Sequence, residues 1–396
     1  MRILVISFYF PPDLSAGSFR STAVVDALVR AVPAGSHIDV ITTRPNRYRS
    51  FTTEAPEHEE RPGVSITRIN LPPHKSGMRD QALAFLSYAR GVIAATKGND
   101  YDVIYATSGR LMAATLGSYI ARRKKTRLYL DIRDIFVDSL SDLLLRRLAF
   151  LAKAFFGSVE RWTISRASRV NLVSRGFEEY FRRRYPTQRF SFITNGIDDE
   201  FLAAAPKGPG PKRSLGDGRP ITVLYAGNLG EGQGLHAIIP QLAQRLGADV
   251  RFRIIGDGGR RAALEAALAQ SGVTNVELLA PMKRDALMAE YQAADVLYLQ
   301  LNDFPALTHV LPSKLFEYGA LGKPIWAGVA GYTASFVTSE ISNAAAYYPC
   351  NVDDALAAFS RLTLQDMPRT SFCEKFARTT LSRALANDIV ATGRGE

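Results

Sequence analysis

Apolar positions in this chain follow two rhythms that alternate from end to end. Short unbroken apolar runs, such as Ile3-Leu4-Val5-Ile6 within residues 2–9, read as strands covered on both faces. Stretches with apolar residues three or four apart, such as 22–32, read as helices with one face on those strands. In the first half, strands are predicted at 2–9, 37–42, 64–71, 103–107, 127–131, 171–174 and 191–194, with helical patterns at 22–32, 80–96, 110–123 and 142–166. Residues 203–220 interrupt the rhythm with Pro206, Gly208, Pro209, Gly210, Pro211, Gly216, Gly218 and Pro220, a density of breakers that reads as a linker. The rhythm then restarts, with strands at 221–226, 251–255, 276–279, 296–299 and 324–326 and helices at 235–246, 260–270, 284–293 and within 311–322. A last helical stretch, 371–391, has no strand of its own and either packs back across the domain interface or frays.

Strands alternating with helices predict an α/β protein with mainly parallel sheets. Two Rossmann-like doubly wound domains facing across a cleft are expected: a first domain at 1–202, the linker at 203–220, a second domain at 221–370, and a C-terminal helix within 371–396 that crosses back to the first domain or frays. In such sheets ligands sit beyond the carboxyl ends of the strands, which groups Gly17, Ser108 with Gly109, and Asp131-Ile132-Arg133-Asp134 along one crevice. Each is equally ordinary loop chemistry by itself; the shared location is the argument. The loop after the first strand lacks the three-glycine dinucleotide fingerprint, so a hydride-transfer cofactor is poorly supported.

The densest chemistry lies at 311–322, Leu-Pro-Ser-Lys-Leu-Phe-Glu-Tyr-Gly-Ala-Leu-Gly. Pro312 suits the first position of a helix, and Ser313 and Lys314 then stand beside a positive helix end that favours anions. Helical spacing puts both on the same face as Glu317. One short helix thus offers a hydroxyl, an ammonium and a carboxylate, a set that suits the phosphates and ribose hydroxyls of a nucleoside diphosphate. The same residues also describe a capped surface helix with a Lys314–Glu317 ion pair.

Composition is that of an ordinary globular protein. Two cysteines, Cys350 and Cys373, without metal spacing, fit a reducing cytoplasm. The N-terminal run is too short for a signal segment, and no run is long and apolar enough to span a bilayer. The net charge of +11 is concentrated: residues 121–190 carry 17 Lys or Arg against 7 Asp or Glu. The stretch 142–166 therefore either lies on anionic lipid, as a peripheral protein on the inner face of the plasma membrane, or packs on its own domain with solvated cations outside. No base-stacking module accompanies the charge, which argues against nucleic acid as a partner. Asp100-Tyr101-Asp102 precedes a strand rather than following one and reads as a loop, so no metal is expected there.

Seven pieces taken together in order resemble glycosyltransferase family 4. They are Phe8-Tyr9-Phe10-Pro11-Pro12 before Gly17, the segment from Asp131 to Asp134, Thr194-Asn195-Gly196-Ile197-Asp198, Tyr225-Ala226-Gly227-Asn228-Leu229-Gly230, Ile255-Gly256-Asp257-Gly258, Ala294-Asp295-Val296, and Pro312-Ser313-Lys314-Leu315-Phe316-Glu317-Tyr318 with Gly322-Lys323-Pro324. The resemblance implies the GT-B fold and transfer of a sugar from a nucleoside diphosphate sugar, UDP-linked first among them, to a hydroxyl of a lipid-linked or glycan acceptor. It implies retention of configuration, and no metal or organic cofactor. By the same resemblance Glu317 holds the ribose, and Pro312, Ser313, Lys314 and Leu315 face the diphosphate. Gly17, Gly227, Asn228, Gln233, Gly256 and Asp257 approach the donor, and Pro281 with Met282 seats the base. Arg133, Asp134, Ser108 and Asn195 fall on the acceptor side.

This chain departs from the family pattern at informative places. His309 stands where many members have a second glutamate, Asn228 and Gln233 replace an arginine and a lysine, and Arg133 precedes Asp134 where a histidine is frequent. Lys314 then becomes the main cation, and His309, Lys314, Arg133 and Asp134 the catalytic candidates. The set resembles the branch that builds O-antigen, capsule or exopolysaccharide. A sugar-nucleotide hydrolase or epimerase of the same fold, or an inactive binding subunit, remain as alternatives.

Overall fold

The computed structural model describes residues 1–13, 15–45, 55–72, 78–108, 111–137 and 146–396; Gly109 and the starts of the helices expected from 110 and 142 lie outside these. The chain divides into two compact units, Met1–Asn195 with Arg378–Glu396, and Gly196–Ala377.

Unit 1 runs β1 (Arg2–Ile6), α1 (Ala16–Ala31), β2 (His37–Thr43), β3 (His58–Arg61), β4 (Val64–Ile69), α2 (Met78–Ala95), β5 (Val103–Ser108), α3 (Leu111–Lys124), β6 (Arg127–Ile132), α4 (Arg146–Ile164), β7 (Arg169–Leu172), α5 (Glu178–Arg184) and β8 (Phe190–Ser191). The sheet order is β3-β4-β2-β1-β5-β6-β7-β8. Every residue of β5 is buried, as are Ile3 to Ile6 of β1, because helices cover both faces of these central strands. Ile3 pairs with Ile38 on one side and Val103 on the other, so the order reverses between β1 and β5. That reversal leaves a crevice at the carboxyl ends of the two strands. β3, with sequence His-Glu-Glu-Arg, is antiparallel to β4. No apolar rhythm marks it, since an exposed edge strand needs no apolar face, and it escaped the sequence reading. β8 stops at Ser191 rather than Thr194, because the carbonyls of Ile193 and Thr194 turn to the Arg20 guanidinium instead of a strand partner.

Unit 2 runs α6 (Asp199–Ala203), β9 (Ile221–Ala226), α7 (Leu235–Leu246), β10 (Val250–Ile255), α8 (Arg261–Ser271), β11 (Val276–Leu279), α9 (Arg284–Ala293), β12 (Val296–Gln300), α10 (Lys314–Ala320), β13 (Ile325–Gly328), α11 (Gly331–Glu340), β14 (Ala344–Tyr347), α12 (Val352–Phe359) and α13 (Thr370–Phe376). All pairings are parallel, in the order β11-β10-β9-β12-β13-β14. Here the reversal lies between β9 and β12, which pair only through Val296 with Val223 and Leu297 with Leu224. Their carboxyl ends are thus unpaired to each other, at the place where a ligand crevice is expected. Trp326 centres the core, in contact with Phe252, Tyr298, Tyr347 and Phe359, and its indole N–H donates to the Ala355 carbonyl.

The breaker-rich residues 203–220 are tied into unit 2 rather than hanging free. Gly210 and Arg213 donate backbone hydrogen bonds to the carbonyls of Asp366 and Leu364, and Arg213 pairs with Asp217 and Asp295. The helix expected at 371–391 is two helices. Ala377 is extended and ends α13, whose Phe372 and Phe376 pack on Phe316 and Phe336 of unit 2. The chain then continues as α14 (Arg378–Arg394), which belongs to unit 1. Its Leu385, Ala386, Ile389 and Val390 join the core formed by Val24, Val25 and Leu28 of α1.

Candidate functional site

In unit 2 the residues at the carboxyl edge of the sheet are built on paired glycines. Gly227 follows β9 and donates to the Ile255 carbonyl, while a Cβ on Gly256 would meet the Gly227 carbonyl oxygen at 1.8 Å. Gly258 is similarly pressed on Leu229, at 2.6 Å. Gly256 and Gly258 are therefore required by backbone packing between two loops. Gly227 has a different neighbour: a Cβ there would lie 2.0 Å from the Lys314 ammonium nitrogen. Lys314 Nζ sits over this glycine and 5.6 Å from the centroid of the Tyr225 ring.

The Lys314 ammonium makes no ion pair within 4 Å among the described residues. Although the residue keeps some surface, its charged end is enclosed, and burial lowers its pKa with only Glu317 pulling the other way. The bland reading, a Lys314–Glu317 ion pair on a surface helix, is thus not what the structure contains. A buried cation without a counter-ion is costly, and an anion arriving beside it recovers that cost.

The turn after Gly227 is rigid for reasons internal to it. Gln233 Oε1 accepts from Asn228 Nδ2 and from the Gly230 N–H, at 3.0 and 3.2 Å. Tyr225 donates its hydroxyl to the Asn228 carbonyl, and Asn302 Nδ2 donates to the Glu231 carbonyl. Asn228 and Gln233 hold each other instead of supplying charge. Asp257 caps its own loop by accepting from the Gly258 N–H. Pro281 and Met282 follow β11 at the same edge, the first exposed and the second half-buried.

Helix α10 begins two residues later than the proline rule suggested. Pro312 precedes the helix, its carbonyl accepting from the Leu315 N–H, and Ser313 occupies the N-cap without a side-chain cap bond. Its seven residues make the helix dipole a weaker element than expected, and the Lys314 side chain carries the charge. Glu317 is half-buried one turn on, and the buried Leu315, Phe316 and Tyr318 anchor the helix. His309, also half-buried, caps a short 3-10 turn at Pro305–Thr308.

Two arginines here were not singled out from the sequence. Arg369 is buried beneath the end of α10 and donates to the carbonyls of Gly319, Lys323 and Ser342, at 3.1, 2.8 and 2.8 Å. Burial among carbonyls lowers it to about 10. Arg284 opens α9, pairs with Asp198 at 2.8 Å and with Glu200, and feels Glu317. Burial opposes its charge, but those carboxylates leave its pKa raised. Neither position carries a local pattern that distinguishes it from a surface arginine.

In unit 1 the carboxyl edge is organised by an ion pair. Arg20 of α1 donates Nε and Nη2 to both oxygens of Asp131, at 2.8 and 2.9 Å, and caps the carbonyls of Thr194 and Ile193. Asp131 also accepts from Tyr105, Thr107 and Asn171. Burial opposes its charge, yet Arg20 and these donors keep it below the usual carboxylate range. Arg20, Tyr105 and Asn171 are structural members of this edge that sequence reading missed.

Gly17 lies in the first turn of α1 rather than in a loop, with Ser15 as N-cap. A Cβ there would meet Arg133 Nη1 at 2.5 Å, so the Arg133 guanidinium fills the space this glycine leaves. Burial, and then Arg20, lower the Arg133 pKa, and its Nε has no hydrogen-bond partner. Next to it, Asp134 keeps solvent access but is raised to about 6 by burial, with Arg133 pulling the other way. Ser108 is buried at the end of β5, and its carbonyl accepts from the Arg133 N–H. Asn195 is buried, with an unpartnered Oδ1. Gly17, Ser108, Arg133 and Asp134 are thus neighbours, and Asp131 is the scaffold beneath them.

Two α/β units on mainly parallel sheets, each with polar groups at its topological switch point, are the architecture of the GT-B fold. Residues 21–196 match the family model described as Glycosyl transferase 4-like domain, and residues 211–380 match that described as Glycosyl transferases group 1. The chain belongs to the glycosyltransferases that combine these two domains, the family the seven sequence pieces resemble. It is 29% identical over 214 residues to the colanic acid biosynthesis glycosyl transferase WcaI, so named, of Escherichia coli strain K12, a match covering 51% of this chain and 51% of that one. The chain thus spans about half the length of that curated relative. Among solved structures it is similar to sucrose-phosphate synthase from Thermosynechococcus elongatus, with a TM-score of 0.68 at 14% identity over 100% of this chain and 97% of that one. The Anabaena protein Alr3699/HepE, solved in complex with UDP and glucose, gives a TM-score of 0.66 at 17% identity over 99% and 100%. Among the described residues no helix is long and apolar enough to cross a membrane, and no cluster of three or more His, Cys, Asp or Glu is arranged to hold a metal ion.

Proposed function

We propose that this glycosyltransferase moves a hexosyl group from a UDP-sugar to a hydroxyl of a lipid-linked or glycan acceptor, with retention, in cell-surface polysaccharide biosynthesis. One observation carries the donor assignment: the enclosed Lys314 ammonium, without an ion-pair partner among the described residues, over Gly227 at the switch point of unit 2. A diphosphate is the ligand that satisfies it, and UDP in the HepE structure supports the choice of nucleotide. The likeness to WcaI, named for colanic acid biosynthesis, supports polysaccharide as the setting.

In this reading Glu317 accepts hydrogen bonds from the ribose hydroxyls, and Lys314 meets the diphosphate oxygens. The base lies toward Pro281 and Met282, and His309 contacts the sugar. The acceptor oxygen bonds to the anomeric carbon as the bond from that carbon to the diphosphate oxygen breaks, and the acceptor proton passes to the departing diphosphate. Negative charge grows on the leaving group, where a preorganised cation in a desolvated place is worth most. Arg133 and Asp134 serve the acceptor, Arg133 as an unpaired donor and Asp134 as an orienting group.

The test is transfer from UDP-sugars to a lipid-linked acceptor pool by wild type and Glu317→Ala. Loss of transfer with weakened donor binding is expected. An unchanged rate rules out the ribose assignment, and equal turnover without any acceptor rules out transfer itself.

A further inference from the structure

Unit 1 holds a cavity of about 920 Å³ between α4 and α5. Its apolar walls are the rings of Trp162, Tyr180 and Tyr185, and its charged lining is four cations, Lys153, Arg161, Arg166 and Arg184, with one carboxylate, Glu160. Glu160 is buried and accepts hydrogen bonds from the hydroxyls of Tyr180 and Tyr185, at 3.1 and 2.9 Å. That carboxylate is committed to holding the two rings, and their hydroxyls are spent on it. The cations are not committed in this way. Arg184 lies 3.6 Å from the Tyr180 ring centroid and Arg166 4.8 Å from that of Trp162, and among the described residues none of the four has a carboxylate within 4 Å. Four unpaired cations on an aromatic wall present N–H groups suited to phosphate oxygens.

A second feature separates this place from a general polyanion surface. Phe155 lies on α4 between the lining residues Ala154 and Gly157, is 63% exposed, and meets the Phe156 ring edge-on. An exposed aromatic beside unpaired cations matches the boundary between headgroups and acyl chains, where both find a favourable medium. The cavity residues belong to the most basic stretch of the chain, 121–190, with 17 Lys or Arg against 7 Asp or Glu.

We propose that this cavity binds the phosphate headgroup of an anionic bilayer lipid, with Phe155 entering the acyl boundary beside it. The inference does not depend on the donor or acceptor assigned above. It makes membrane attachment a matter of a built pocket, over and above diffuse charge.

Wild-type protein reports on this without mutation, because the chain has two tryptophans, Trp162 in the cavity and Trp326 in the core of unit 2. Vesicles of brominated phosphatidylglycerol mixed equally with phosphatidylcholine should quench Trp162 emission, and pure brominated phosphatidylcholine should not. Cosedimentation with the anionic vesicles should weaken roughly tenfold in Arg161→Gln/Arg184→Gln. Arg122→Gln/Arg123→Gln, which removes the same charge from α3, should stay close to wild type. Phe155→Ser should weaken vesicle binding while leaving any response to dissolved glycerol phosphate unchanged. Three outcomes overturn the proposal. They are absence of quenching, equal loss from the two double variants, and calorimetric binding of free inorganic or glycerol phosphate as tight as binding to vesicles.

Discussion

Arg20 and Asp131 are buried against each other, and the pair is kept because both carboxylate oxygens and all three guanidinium nitrogens have partners. The residues that follow Asp131 differ in kind. Arg133 has an unpartnered Nε and fills the space left by Gly17, and Asp134 beside it holds its proton up to about 6. If ionised Asp134 orients the acceptor, kcat at saturating donor should fall as pH drops through about 6, and Asp134→Asn should flatten that limb. The stability effect has the opposite sense. A carboxyl raised in the folded state stabilises it below the unfolded value and loses that contribution as pH rises through about 6. Asp134→Asn should therefore melt no lower than wild type above that pH, which thermal unfolding across pH will check. The acidic residues around Asp131 were visible in the sequence as a motif. Which of them is scaffold was not, because Arg20 lies more than a hundred positions away and only the fold brings it there.

At the scale of elements, α10 and the turn after β9 are each held by groups remote in sequence. Arg369 anchors the carbonyl end of α10. Asn302, just beyond β12, donates to the Glu231 carbonyl at 2.8 Å and accepts from the Asp303 N–H, while its own N–H donates to the Gly232 carbonyl. Asn302→Ala removes the side-chain bonds alone. Faster hydrogen exchange at the amides of Gly230 to Gly234 is expected, with a loss in UDP affinity of roughly fivefold, the worth of about one hydrogen bond. Exchange indistinguishable from wild type would show that the turn holds itself. The strands of both sheets were legible because buried parallel strands are unbroken apolar runs. The polar edge strand β3 and the last elements of unit 2, α11, β14 and α12, lacked that signal or were passed over after residue 326.

For the molecule as a whole, the decisive element is α14, which joins unit 1 as one of the two sequence expectations had it. Leu385, Ala386, Ile389 and Val390 are buried, and they complete the core of unit 1 from the far end of the chain. Removing a large buried aliphatic side chain costs about 2–5 kcal/mol, and a domain is stable by about 5–15 kcal/mol. A chain ending at Ala377 should therefore lose the folded state of unit 1, seen as rapid proteolysis within residues 1–195 while unit 2 persists. Survival of unit 1 intact would show that α14 is dispensable. Its amphipathic pattern was readable and docking on the first domain was one of two expectations; which residues it meets was not, since periodicity says that a face is buried and not against what.

The central claim is that the enclosed, unpaired Lys314 ammonium holds the diphosphate of a nucleotide sugar. It is tested most directly by calorimetric titration of UDP into wild type and Lys314→Met, with thermal unfolding of both run alongside. A buried cation kept for a ligand predicts a loss in UDP affinity of at least roughly tenfold, the worth of one charge-assisted hydrogen bond, with stability unchanged or raised. UDP bound equally well by the two proteins, or a variant that loses stability while keeping its affinity, would contradict the account.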